Sequence, residues 1–233
     1  PAVFPSQSNP AYRNLYKTSA MAGLGMLAIM LAQVAVFIIW PPPESVEGFF
    51  GLFQQNWLLG LLSLDLLYLL NNSILILIYL ALFAALKPKF ASASLIALVL
   101  GLVGIAAYFA SNPAFEMLSL SRQFAAAGTE SQRVIALAAG GAMLATYKGT
   151  AFDMYYVLNA ACLLIFAAAM LRSGIFSRGT ALWGLAAGVL MLIPSTAGTL
   201  GLIFSLASLI PWAVFLILIC LRFFRFSAHA TPI

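Results

Sequence analysis

The sequence predicts an all-α fold, a polytopic membrane helix bundle of six transmembrane helices with a helical hairpin on its outer face. Three observations support this prediction: the composition, six long apolar runs and the placement of the basic residues. Hydrophobic residues make up 64% of the 233 residues and charged residues only 7%, and the mean hydropathy is +1.05. A soluble domain carries roughly 25% charged residues, and a disordered chain combines low hydrophobicity with high charge. Both of these classes are therefore excluded.

Six apolar runs approach or exceed the roughly 20 residues that a helix needs to cross the hydrocarbon core. The first ends at three consecutive prolines, which cannot continue a helix. The second would be about 45 Å long as one helix, so it must tilt, protrude or break. The sixth contains Pro211, which predicts a kink. The predicted spans are residues 18–40, 57–86, 90–110, 150–171, 179–193 and 200–221.

The basic residues predict the orientation of the chain, because Lys and Arg accumulate in cytoplasmic loops. With the N-terminus inside, the inner segments hold eight basic residues and the outer segments three. The inner set is Arg13, Lys17, Lys87, Lys89, Arg172, Arg178, Arg222 and Arg225, and the outer set is Arg122, Arg133 and Lys148. We therefore expect a cytoplasmic lead over residues 1–17, a bundle over 18–225 and a cytoplasmic tail over 226–233.

Residues 111–149 predict a helical hairpin on the outer face. The stretch 114–127 has amphipathic spacing, and Thr129 with Gln132 forms a capping-box pattern at the start of a second helix. That second helix, over residues 130–147, is short for a membrane crossing. We expect both helices to lie on, or dip into, the outer face as a lid or a substrate gate, and a re-entrant hairpin is the alternative.

Seven polar residues are candidates for binding a ligand or an ion. Asp65 is the only carboxylate well inside a predicted span, and buried ionisable groups in lipid are functional candidates by default. Tyr68 and Asn72 follow it at i+3 and i+7, on one predicted helical face. A second polar stripe begins the fourth span, so the two stripes could face each other across a cavity. The alternative is structural, with a protonated Asp65 bonded to Asn or Tyr. The seven candidates are Asp65, Tyr68, Asn72, Asp153, Tyr155, Tyr156 and Asn159.

The sequence predicts no catalytic residue, no metal site and no identifiable cofactor. His229 is the sole histidine and falls in the predicted tail, which excludes bis-histidine haem and histidine-based zinc sites within the bundle. Cys162 and Cys220 lie in apolar runs without a CxxC partner. No phosphate-binding glycine motif or HExxH motif is present. The basic residues occur as singles and pairs at the ends of apolar runs, which does not indicate a nucleic-acid partner.

Four short segments resemble parts of a bacterial multi-pass membrane family. They are Asn112–Met117, Gln123–Ala127, Ala145–Ala151 and Met170–Phe176. The family is catalogued as domain of unknown function 4386, and the resemblance extends from Ala20 to Phe226. The resemblance implies a bacterial inner-membrane protein but supplies no established activity, so no catalytic role is transferred. The cytoplasmic position of both termini is predicted separately, from the distribution of Lys and Arg. The resemblance directs attention to the outer hairpin and the start of the fourth span.

The sequence leaves three functions open. The leading hypothesis is a non-enzymatic bundle that binds an apolar or amphipathic molecule, or that serves as a subunit of a larger membrane complex. The second is a small-solute or proton-coupled carrier using Asp65, with Asn72 and Asn159. The third is a lipid-modifying membrane enzyme with Asp65 and Asp153 as acid and base. The expected partners are the lipid bilayer and either a membrane-protein partner or a second copy of the chain.

Overall fold

The computed structural model of the protein describes residues 10–228, and within this range every regular element is helical. Parts of the predicted cytoplasmic lead and tail, including His229, lie outside the described residues. A single turn of 3-10 helix, Pro10–Tyr12, precedes the first α-helix. The α-helices are α1 (Arg13–Ile39), α2 (Val46–Gln55), α3 (Trp57–Ser63), α4 (Leu66–Ser111), α5 (Ala114–Ala126), α6 (Glu130–Tyr147), α7 (Thr150–Ser173), α8 (Arg178–Leu190) and α9 (Gly198–Ala228).

Four helical segments of the described chain are long and apolar enough to cross a membrane, judged by length and composition. They are Arg13–Ile39, Leu66–Ala126, Glu130–Ser173 and Gly198–Ala228. The count differs from the predicted six for two reasons. The second and third predicted spans join in α4, whose only non-helical residue is Phe90 (φ −135°, ψ 51°), two residues after Pro88. The fifth corresponds to α8, which at 13 residues is about 20 Å long.

The chain forms two compact units, and each brings together distant parts of the sequence. The first unit comprises residues 10–28, 72–105 and 155–228 of the described chain. The second unit comprises residues 29–71 and 106–154. The divisions fall inside helices α1, α4 and α7, so these three helices contribute to both units.

The core of the second unit is built around α2, a helix that the sequence analysis did not predict. Its apolar face presents the buried Phe49, Phe50 and Phe53, which pack with the fully buried Met117 of α5. Ser121 donates a hydrogen bond of 3.0 Å to the backbone oxygen of Phe50. The phenylalanine spacing is a helical period, so the signal was present in the sequence between the three prolines and the second span.

The two helices predicted within residues 111–149 are confirmed as α5 and α6, within one residue of the predicted bounds, and their place on the outer face stays a prediction. The capping box is present: the Thr129 hydroxyl accepts from the backbone N–H of Gln132, and the Gln132 side chain accepts from the backbone N–H of Thr129. Such reciprocal bonds satisfy donors that a helix start otherwise leaves open. The helix start of α6 is thus encoded locally.

In the first unit, three side-chain hydrogen bonds join the ends of four helical stretches. The bonds run from Lys87 Nζ to the Tyr12 hydroxyl, from Lys89 Nζ to the backbone oxygen of Ser173 (2.7 Å) and from Arg13 Nε to the backbone oxygen of Ser227 (3.1 Å). The start of α1, the Pro88 turn of α4, the end of α7 and the end of α9 are therefore linked pairwise. An aromatic cluster of Tyr16, Phe176, Phe223 and Phe226 packs within the same unit.

Candidate functional site

The second predicted span is broken at Asp65. Helix α3 ends at Ser63 and helix α4 begins at Leu66, so the break resolves the excess length of the predicted span. Asp65 has φ 61° and ψ 29°, the left-handed region, and is the only non-glycine residue of the described chain with positive φ. Asp is among the few side chains that tolerate this conformation. Its side chain is only 7% exposed.

The break corrects the predicted alignment of Asp65 with Tyr68 and Asn72. That alignment assumed one continuous helix, but Asp65 precedes the first residue of α4 in a left-handed conformation, so the i+3 and i+7 spacing does not apply to it. An Asp at this position commonly accepts a hydrogen bond from the first turn of the helix that follows. The Asp65 carboxylate makes no such bond and is directed elsewhere.

The Asp65 carboxylate accepts a hydrogen bond from a tyrosine of α6 and lies beside a tyrosine of α4. The hydroxyl of Tyr147, the last residue of α6, donates to Asp65 Oδ2, and the hydroxyl of Tyr108 in α4 also interacts with this carboxyl group. Both rings pack against Phe152, with centroid distances of 6.1 Å from Tyr147 and 6.3 Å from Tyr108. Helix α6 therefore contributes a hydroxyl group to the break.

The backbone carbonyls exposed by the break are bonded by amide side chains. Gln33 Nε2 of α1 donates to the backbone oxygen of Leu62 at 3.1 Å, and Asn112 Nδ2 donates to the backbone oxygen of Leu64 at 2.8 Å. Inside a bilayer no water is present to satisfy such carbonyls, so broken helices need neighbouring side chains. Gln33 and Asn112 provide this stabilisation.

Gln33 Oε1, Ser63 Oγ and Asn71 Oδ1 are buried oxygens of this unit that have no hydrogen-bond partner within residues 10–228. Their side chains are 0%, 1% and 9% exposed. Gln33 and Ser63 lie at the break itself. Asn71 is six residues beyond Asp65, about 9 Å along the helix axis. The break therefore combines a carboxylate with neighbouring oxygens that have unused acceptor capacity.

A different polar cluster occupies the first unit and contains Asn159. The Tyr79 hydroxyl donates to Asn159 Oδ1 at 2.6 Å, and Asn159 Nδ2 donates to the backbone oxygen of Tyr155 at 2.9 Å. Cys162 lies against Tyr79 and is fully buried. Gly101 lets the helices approach, since a Cβ there would lie 2.5 Å from the Tyr79 ring and 2.8 Å from Cys162 Sγ. Asn159 is thus a helix-linking residue.

The remaining predicted residues have separate surroundings. Tyr68 is half-buried and Asn72 is buried. Asp153 lies in the first turn of α7, where a negative charge interacts favourably with the helix dipole. The Tyr156 hydroxyl is 2.9 Å from Ser205 Oγ, and its ring packs edge-on against Tyr155 at 5.6 Å.

The seven predicted residues are divided between the two units. Asp65, Tyr68 and Asp153 belong to the second unit, and Asn72, Tyr155, Tyr156 and Asn159 belong to the first. A cavity joining the two stripes stays a prediction. Sequence reasoning missed Tyr147, Tyr108, Gln33 and Ser63 at the break, although Tyr147 lies in one of the segments of the family resemblance.

The fold and the break define a helical protein with membrane-spanning character and a buried carboxylate centre. No family model, no curated protein and no solved structure matches the chain. The resemblance to domain of unknown function 4386 stays a prediction. Within residues 10–228, no three His, Cys, Asp or Glu side chains are grouped so as to hold a metal ion.

Proposed function

We propose that the chain is an integral membrane carrier for a small polar solute, driven by a proton or another cation that binds at Asp65. The observation that carries the proposal is the break in the second predicted span, where a buried carboxyl group sits between two helices. Ionisable groups inside a membrane are costly and mark ion or substrate pathways. Interrupted helices are typical of the binding sites of secondary transporters.

The break favours a carrier over the other two hypotheses. An apolar ligand makes no use of a buried carboxylate with unpartnered oxygens beside it. A lipid-modifying enzyme requires a second acid or base near Asp65, and the groups that contact its carboxylate are tyrosine hydroxyls. Binding of an apolar molecule, membership of a larger complex and enzymatic activity stay predictions of the sequence, and none has an observation of its own in the described residues.

The carrier that we propose crosses the membrane six times with both termini in the cytoplasm. The bond between Arg13 and Ser227 supports an even number of crossings, because it links the start of α1 to the end of α9. The bond between Lys89 and Ser173 places the end of α7 beside the Pro88 turn. On this topology the Pro88 turn divides α4 into two crossings. The chain then leaves the cytoplasmic side in α8 and returns to it in α9.

The distribution of charge supports the same topology. The first unit contains eight basic residues and no acidic residue, and the second contains three basic and all six acidic residues. The basic residues of the first unit are the same eight that the charge rule assigns to the cytoplasmic side. This segregation, with the family resemblance, supports a location in the lipid of a bacterial inner membrane.

Transport by reconstituted protein tests the proposal. Proteoliposomes carrying the purified protein are given a proton gradient or a sodium gradient, and uptake of radiolabelled amino acids, sugars and nucleosides is measured. We expect one class to accumulate, and Asp65→Asn to reduce its uptake to that of protein-free liposomes, because the amide cannot carry the coupling charge. Glu116→Gln, which changes an exposed acid on α5, is the matched control with unchanged uptake. Equal uptake by Asp65→Asn and the wild type would reject the role of Asp65.

A further inference from the structure

The helix break at Asp65 contains an amide oxygen without a partner. Gln33 is 0% exposed, and its Oε1 has no hydrogen-bond partner among the described residues. Buried polar atoms in folded proteins nearly always have a hydrogen-bond partner. Gln33 Nε2, by contrast, is bonded to the backbone oxygen of Leu62 at 3.1 Å, so the whole amide group is held at the break.

That hydrogen bond also fixes which amide atom remains available. The opposite orientation of the Gln33 amide would set Oε1 against the carbonyl oxygen of Leu62, and two acceptors cannot bond to each other. The available atom is therefore an oxygen, which accepts and does not donate. Ser63, the residue after Leu62, contributes a second buried oxygen without a partner, and Asp65 contributes a carboxylate two positions further on.

The chemistry of this set selects its ligand. The side-chain groups at the break are an amide oxygen, a hydroxyl and a carboxylate, which are hard oxygen donors without a sulfur or imidazole nitrogen among them. Oxygen atoms that accept favour a cation, and a single carboxylate balances a charge of +1.

We propose that the break between α3 and α4 binds a small monovalent cation of the sodium class through Gln33 Oε1, Ser63 Oγ and the Asp65 carboxylate. The inference rests on the proposed carrier function and names its coupling ion. Tyr147 orients the carboxylate by donating a hydrogen bond to Oδ2. In secondary transporters, the interrupted stretch of a membrane helix commonly forms part of a Na⁺ site.

Thermal unfolding of the purified protein in detergent measures this binding without transport. Sodium chloride replaces choline chloride at constant ionic strength, and we expect the unfolding midpoint to rise in a saturable way by roughly 5 °C, since a ligand that binds only the folded state stabilises it. Gln33→Leu and Ser63→Ala should each raise the sodium concentration needed for half the shift about tenfold, the effect of losing one charge-assisted contact.

Ser94→Ala is the matched control. Ser94 is equally buried, but its hydroxyl is bonded to the backbone oxygens of Phe90 and Ala91, at 2.7 Å and 3.1 Å, in the first unit. The sodium response of this variant should equal that of the wild type. If Gln33→Leu does not fold, the smaller change Ser63→Ala still decides the question.

The other outcomes overturn the inference. An unfolding midpoint that is indifferent to sodium would remove the site, and so would equal sodium responses in the wild type, Gln33→Leu and Ser63→Ala. A response to methylammonium chloride without a response to sodium would assign the site to organic amines. The two proposals fail separately: sodium binding without uptake of any solute rejects the carrier and keeps the site, whereas Asp65-dependent uptake without sodium binding does the reverse.

Discussion

The two polar clusters of the molecule contain similar side chains but differ in how completely these are bonded. In the first unit, Asn159 uses both its amide oxygen and its amide nitrogen, in bonds to Tyr79 and to the backbone of Tyr155. In the second unit, Gln33 uses only its nitrogen. A saturated polar cluster between membrane helices stabilises the fold. One that retains buried acceptors, which we call the open cluster, has capacity for a ligand, and on our proposal the first cluster is structural and the open cluster is functional.

The largest effect on stability is expected where the saturated cluster is most tightly enclosed. Gly101→Ala places a methyl group 2.5 Å from the Tyr79 ring and 2.8 Å from Cys162 Sγ. We expect the free energy of unfolding to fall by about 1–3 kcal/mol, the usual cost of overpacking. The midpoint of thermal or chemical denaturation in detergent measures the change.

Gly141→Ala is the control for this substitution, because a Cβ at Gly141 meets nothing within 4 Å. Both substitutions improve the helix propensity of their positions by roughly 1 kcal/mol, so their difference isolates the packing at Gly101. If Gly101→Ala and Gly141→Ala unfold at the same midpoint, the tight enclosure of the first cluster is contradicted.

At the open cluster around Asp65 we expect a smaller effect on stability but a clear effect on transport activity. Tyr147→Phe keeps the ring that packs against Phe152 and removes the hydroxyl that donates to Asp65. We expect uptake to fall about tenfold, since a hydrogen bond to a charged group is worth roughly 1.5–3 kcal/mol. Solute uptake into proteoliposomes, normalised to folded protein, measures this.

The matched control is Tyr156→Phe, which removes a tyrosine hydroxyl of the first unit that lies 2.9 Å from Ser205 Oγ. Its uptake should equal that of the wild type. A loss of uptake in both variants would show that removal of any half-buried tyrosine hydroxyl impairs the protein, and the special role of the Asp65 break would then be contradicted.

Local sequence signals predicted much of the fold. The capping box at Thr129 and the apolar face of α5 depend on neighbours a few residues apart, and both are confirmed. The excess length of the second span predicted that its helix must tilt, protrude or break, and Asp65 was identified as the only carboxylate well inside a predicted span. These features follow from helix geometry and from the cost of a charge in lipid.

The contacts of the site could not be predicted in the same way. Tyr147 lies 82 residues from Asp65 in the sequence, and Gln33 lies 29 residues from Leu62. Nothing in the residues around Asp65 specifies its left-handed backbone, in which the carboxylate makes no bond to the first turn of α4. Because that conformation is imposed by packing and by partners from other helices, it becomes visible only when those partners are assembled.

The direct test compares the two clusters in one transport experiment. Asp65→Asn and Asn159→Ala each change one buried polar residue, one in the open cluster and one in the saturated cluster. We expect Asn159→Ala to lower the free energy of unfolding by about 1 kcal/mol and to keep wild-type uptake per folded molecule, while Asp65→Asn abolishes uptake in protein that remains folded. Retained uptake by Asp65→Asn, or complete loss by folded Asn159→Ala, would contradict the division of the molecule into a structural and a functional polar cluster.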